Sequence, residues 1–139
     1  MWIRASQAGA AGALLLLSAC AQPGTQPACT APLKPALEIS LYFGRDKPAG
    51  GQVSDVEWAS FVAGNVTPRF PAGHSIVDAG GHYRDSSGRI VRESSKLVVI
   101  VVFDAPAHRA RVASIVDTYV QRFGQESVLR VERPVCAGL

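Results

Sequence analysis

Between Lys96 and Asp104 the chain runs Leu97-Val98-Val99-Ile100-Val101-Val102-Phe103, seven consecutive apolar residues, mostly β-branched, with a charge at each end. Seven residues are too few to span a bilayer, and β-branched side chains lose rotamer freedom in a helix. The run therefore reads as a strand buried on both faces, at the centre of a sheet. Any fold for the chain must place this segment in the middle and cover it.

The 139 residues leave room for one domain with appendages. The first appendage is residues 1–19, with Arg4 as the positive region and Ala8 to Leu17 as an apolar stretch too short for a comfortable span. It ends in Leu17-Ser18-Ala19-Cys20, which resembles the bacterial lipobox. There, cleavage occurs just before a cysteine whose thiol already carries a diacylglyceryl group. On this reading residues 1–19 are a lipoprotein signal peptide, Cys20 is the lipidation site, 20–36 form a tether and 37–139 form the domain. The alternatives are an ordinary signal peptide with an incidental cysteine and a buried N-terminal helix. Ala21, where an aspartate would favour the inner membrane, points to lipid attachment at the outer membrane of a bacterial envelope, facing the periplasm.

Without Arg4 the chain carries 13 basic and 11 acidic side chains. That near-balance, with no basic cluster, gives no support for nucleic acid as a partner. Pro23, Pro27, Pro32 and Pro35 forbid helix and favour an extended tether. With Cys20 assigned to lipid, Cys29 and Cys136 remain as an even pair, a disulfide candidate in an oxidising compartment, with two free thiols as the alternative. Neither cysteine has a CxxC partner or a nearby histidine, so redox or metal chemistry has little to stand on.

Leu37, Ile39, Leu41 and Phe43 alternate with Glu38, Ser40 and Tyr42, the pattern of a strand with one buried face. Gly44 to Val53 is a loop with Gly50-Gly51 as a turn. Ser54-Asp55-Val56-Glu57 is a capping box, and the helix it opens carries Trp58, Phe61, Val62 and Val66 on one face until Pro68 stops it. His74 to Arg84 is a second strand, its Gly80-Gly81 suggesting a bulge or a close approach. Asp85 to Gly88 form a hairpin turn, and Arg89 opens the long strand into the apolar run. Asp104 is read as the cap of a second helix that buries Val112, Ala113, Val116, Tyr119, Val120 and Phe123, with Gly124 capping its end. A last strand runs from about Ser127 to Arg133 and stops at Pro134.

The order strand–helix–strand–strand–helix–strand, with right-handed crossovers, predicts an α+β, ferredoxin-like βαββαβ sandwich. Its four-stranded antiparallel sheet has spatial order 4-1-3-2 and both helices on one face. The first strand's start then lies beside the last strand's end, where Cys29 and Cys136 would meet. Two helices cover only one face, so Val98, Ile100 and Val102 are expected on the open one, with a second copy of the sheet as the simplest lid. A homodimer through that face is the expectation.

Candidate chemistry lies on the hairpin. If it pairs without a bulge, Arg84 faces Arg89, His82 faces Val91, Gly80 faces Glu93 and Asp78 faces Ser95, which places His82 and Glu93 on one side and Tyr83, Arg92 and Lys96 on the other. A cofactor-independent enzyme would use His82 as a base oriented by Glu93, with Tyr83 nearby. Solvated polar residues at a hairpin tip are the competing account. Arg69, Arg84, Arg92 and Lys96 could together hold an anionic ligand, against scattered surface ion pairs. His74 and His108 read as surface positions, and no metal or cofactor is called for by spacing or motif.

Several ordered motifs now point to a family. Leu41-Tyr42-Phe43-Gly44, Val53-Ser54 with Glu57-Trp58, and Val66 through Gly73 resemble the uncharacterised bacterial group known as domain of unknown function 3574. So do Tyr83-Arg84-Asp85, Gly88 through Glu93, Ser95-Lys96 and Gln121 through Val128, so the likeness covers about Leu37 to Cys136. His82 stands where glutamine is expected in that group. The resemblance implies a small, often lipid-anchored envelope protein, and brings no activity, cofactor or catalytic residue. The function expected is a lipid-anchored, non-catalytic module that binds an envelope protein or small ligand; the alternatives are the enzyme above and a purely structural dimer.

Overall fold

A computed structural model of the chain describes residues 28–84 and 87–139. The segment expected to be a signal peptide, Cys20 and most of the expected tether lie outside the described residues, as do Asp85 and Ser86. Among the described residues, no helix is long and apolar enough to cross a membrane.

The elements follow as β1 (Lys34–Gly44), α1 (Asp55–Phe61), β2 (Ser75–Arg84), β3 (Ile90–Val102), α2 (His108–Phe123) and β4 (Leu129–Ala137). All strand pairs are antiparallel and the sheet order is β2-β3-β1-β4. The fold is the expected α+β sandwich, with the apolar run in β3 as an inner strand.

Ser54 caps α1 as expected: its hydroxyl accepts from the Glu57 amide at 3.2 Å and the Glu57 carboxylate accepts from the Ser54 amide at 2.8 Å. The helix does not run unbroken to Pro68. Val62–Val66 form a π-helical turn, closed by the Thr67 amide on the Val62 carbonyl, while the Asn65 side chain takes the Phe61 carbonyl.

One register governs the core. Leu37 pairs with Val102, Ile39 with Ile100 and Leu41 with Val98, so these six side chains share the face under the helices. Val98, Ile100 and Val102 are thus buried beneath α1 and α2 and do not stand on the open face, correcting the sequence expectation. Phe43, Trp58, Phe61, Tyr119 and Phe123 close the centre, with ring centroids 4.7 Å apart for Phe43–Tyr119 and 5.0 Å for Phe61–Tyr119.

Other expectations change at element ends. Gly80-Gly81 carries no bulge; the β2–β3 ladder runs through it, with Gly80 on Ser94 and Gly81 on Glu93. Asp104 does not cap α2, because its carboxylate pairs with Arg111 while its carbonyl accepts from the Ala107 amide. Ala113 is exposed, and Ile115 takes the buried place in its turn of the helix. Gly124, with φ +69°, ends α2 in the left-handed region that favours glycine. β4 continues past Pro134 to Ala137; it is an edge strand, where a proline without an N–H is tolerated. β1 likewise begins at Lys34, drawing the last residues assigned to the tether into the sheet. Pro35 pairs with Cys136, and Cys136 is joined to Cys29 by a disulfide with Cα atoms 5.6 Å apart.

Candidate functional site

The hairpin register decides which candidate residues can meet. Pairing starts at Arg84 with Ile90, leaving a five-residue connection where the sequence suggests four, and every pair shifts by one. His82 therefore faces Arg92, Asp78 faces Lys96, and Gly81 faces Glu93. His82 projects on the helix side and Glu93 on the open side, so the proposed base and its orienting carboxylate stand on opposite faces of the ribbon. Tyr83 shares the open side with Glu93, and is half exposed.

Glu93 is occupied elsewhere. Its carboxyl packs against Gly44, and burial raises its pKa while a hydrogen bond from the Asp46 amide opposes the rise.

The four cations do not gather. Arg69 donates to the Ser114 hydroxyl at 2.9 Å and to the Asn65 carbonyl at 3.0 Å, bracing the π-helical turn that follows α1 against α2. Arg84 donates to the Gly88 carbonyl at 2.9 Å. Lys96 binds Asp78, whose carboxyl it holds below the usual range, and stands 3.8 Å from Asp55. Arg84, Arg92 and Lys96 share the helix-side face of the hairpin, with Arg69 apart from them.

His108 is the residue that composition could not place. It is not at the surface: at 1 % exposure it lies beneath β4, its Nε2 3.0 Å from Glu132 Oε1. Burial works against ionising Glu132, but Arg130 and His108 outweigh it and hold the carboxyl below its ordinary pKa. Among the described residues, no group of His, Cys, Asp and Glu is placed to hold a metal. A concavity of about 160 Å³ at the start of β1 is lined by apolar residues such as Leu37, Val102 and Pro134, small beside ordinary ligand pockets. A second, of about 450 Å³, lies between Lys34, Phe103 and the last three residues. Neither includes His82, Tyr83 or Glu93.

The largest unexplained feature is the face of the sheet without helices. Across the four strands, Val77, Leu97, Tyr42 and Leu129 form one apolar row, and the next alternates serine and valine, as Ser75, Val99, Ser40 and Val131. Val77 is 50 % exposed, Leu129 62 % and Val131 45 %. The edge strands are patterned in reverse: β4 turns Arg130 and Glu132 toward the helix layer and Leu129 and Val131 away, and β2 does the same with Asp78 and His82 against Val77 and Tyr83. Sequence reading missed these residues, although the alternation Leu129-Arg130-Val131-Glu132 carried the signal; only the pairing with β1 shows which parity points out.

These features define a ferredoxin-like domain with one covered and one open sheet face. The chain belongs to the family described as Protein of unknown function (DUF3574), whose model matches residues 38–139. No curated protein matches the sequence. Among solved structures, a phage SAM lyase in complex with S-methyl-5′-thioadenosine is similar with a TM-score of 0.58 and 16% identity, over 75% of this chain and 90% of that one. The apo state of a phage SAM lyase gives 0.51 and 18%, over 73% and 84%. CutA1 from Oryza sativa gives 0.47 and 12%, over 77% and 85%. At these identities the first two likenesses speak for the fold alone.

Proposed function

We propose that the protein is a lipid-anchored accessory module of the bacterial envelope that binds through the open face of its sheet and performs no catalysis of its own. The observation that carries this is the reversed patterning of β2 and β4. An edge strand of a sheet solvated on one face ordinarily turns its apolar residues inward. Here β4 turns Leu129 and Val131, and β2 turns Val77 and Tyr83, to the helix-free side, while Arg130, Glu132, Asp78 and His82 lie on the helix side; Arg133 and Ile76 depart from the pattern. The face so formed has a footprint on the order of 600 Å², from strand spacing and rise, in which Ser40, Ser75 and the Glu38–Arg133 pair lie among the apolar side chains.

The anchor rests on the Leu17-Ser18-Ala19-Cys20 sequence. It would hold the domain near the membrane through Cys20, with the disulfide fixing where the tether enters the sheet. His82, Tyr83 and Glu93 give no comparable support for an enzyme, because the ribbon separates His82 from Glu93.

Two measurements test the reading. Carbene footprinting of the full-length chain in intact envelopes should show Tyr83, Leu129 and Val131 protected relative to the same chain purified and diluted until light scattering reports a monomer; equal labelling would remove the binding face. Radiolabelled palmitate should enter the wild-type chain and not Cys20→Ser; equal incorporation would remove the anchor.

A further inference from the structure

Resting on the reading of the open face as a binding surface, we infer that its occupant is another copy of this chain, packed sheet against sheet, with a two-fold dimer as the smallest closed arrangement.

Charge is the first argument. On the open face Glu38 and Arg133 pair with each other at 2.7 Å, leaving Lys34 at the start of β1 and Glu93 near the hairpin, one charge of each sign. A face that is nearly neutral in itself meets its own copy without like-charge conflict. A membrane surface would select an excess of lysine and arginine around the apolar patch, which this face lacks. An acidic or basic partner would find no complementary field.

Shape and area supply the second. Rows of β-branched and small residues, Ser75, Val99, Ser40 and Val131, make a level surface of the kind that stacks on another sheet at about 10 Å. Two footprints of roughly 600 Å² bury about 1,200 Å², at the lower bound of specific interfaces.

The hairpin arm is the third. β1 ends with Gly44 opposite Ser95, but β2 and β3 continue for five further pairs, from Gly80–Ser94 to Arg84–Ile90. A two-stranded ribbon of this kind is marginal alone in water. It carries Tyr83 and Val91 on the same side as the apolar rows, extending the face past the body of its own domain. A second copy is long enough in the same direction to take that extension.

The test uses the full-length chain extracted in mild detergent, with mass measured by light scattering and corrected for bound detergent. The wild type should run as a dimer or a larger closed assembly at micromolar concentration. Val101→Lys and Val131→Lys, at positions 38% and 45% exposed in the single chain, should fall to monomers with unchanged circular dichroism. A wild type that stays monomeric at about 100 μM, or lysine variants that stay associated, would overturn the inference. A monomer whose open face is still protected from footprinting in the envelope would overturn only the choice of occupant; an unprotected face would take the binding reading with it.

Discussion

The Tyr119 hydroxyl donates to the carbonyl of Gly44 at 2.8 Å, tying the middle of α2 to the last residue of β1. Tyr119 is fully buried, and burial pushes its phenol well above its ordinary pKa, so it stays a neutral donor. Its ring also sits among Phe43, Phe61 and Phe123. Tyr119→Phe keeps the ring and removes only the donor. The expected loss is about 1–2 kcal/mol, the cost of an acceptor deprived of its partner, read as a lower urea midpoint with an unchanged slope. A midpoint equal to wild type would mean that water replaces the hydroxyl at no cost.

Gly44 is constrained from its other side as well. A Cβ at this position would collide with Glu93 Oε1 and stand 2.8 Å from Glu93 Cδ. The carboxyl is the end of a side chain, so it can swing away, but only by leaving the Asp46 amide. Gly44→Ala should therefore destabilise by about 1–2 kcal/mol. In a Glu93→Ala background the same change should cost much less, and the double-mutant cycle measures the coupling. Additive effects would place the strain in the backbone instead.

How much of this was legible in the chain varies by element. Leu37 to Phe43 alternate against a helix layer, and Ser54 with Glu57 announces a helix start; both are local patterns, and both hold in the structure. The hairpin is local too, yet one residue of loop length put His82 and Glu93 on opposite faces instead of one, because strand side chains alternate with period two. His108 was hidden for a different reason. Its spacing from Val112, Ile115, Tyr119 and Phe123 sets it on the buried stripe of α2, but the carboxylate that makes a buried imidazole tolerable, Glu132, lies 24 residues away. The open face falls between these cases: its residues are visible as alternating strands, but their direction is set by pairing with β1.

The α1 cap gives a pH dependence with a definite sign. Lys47 donates to both Glu57 oxygens at 2.8 and 3.0 Å, and the Ser54 amide and hydroxyl donate to Oε2. Together they lower the Glu57 pKa from 4.5 to about 2, with Lys47 the largest cause. A depressed folded-state pKa contributes stability that is present above the unfolded value and lost as pH falls through the folded one. Melting temperatures should therefore fall between about pH 4.5 and 2, and Glu57→Gln should flatten that part of the curve while lowering the value at pH 7. Parallel curves for the two proteins would show that the ion pair is screened to no effect.

The Cys29–Cys136 disulfide closes a loop with a sequence separation of 107. It also holds the entry to β1 against the end of β4, where Pro35 and Cys136 are paired. The chain-entropy account puts its contribution at roughly 4–5 kcal/mol as an upper figure, since the unfolded chain loses more freedom the longer the loop. Replacing both cysteines with serine removes the bond without leaving a thiol to mispair. The double variant should unfold at distinctly lower temperature than the oxidised chain, and reduced wild type should match it. The core of Ile39, Leu41, Ile100, Tyr119 and Phe123 lies away from the bond, so near-ultraviolet circular dichroism below the transition should be retained. Loss of that signal in the variant at low temperature would show that the covalent closure, more than the core, holds the edge strand β4 in the sheet.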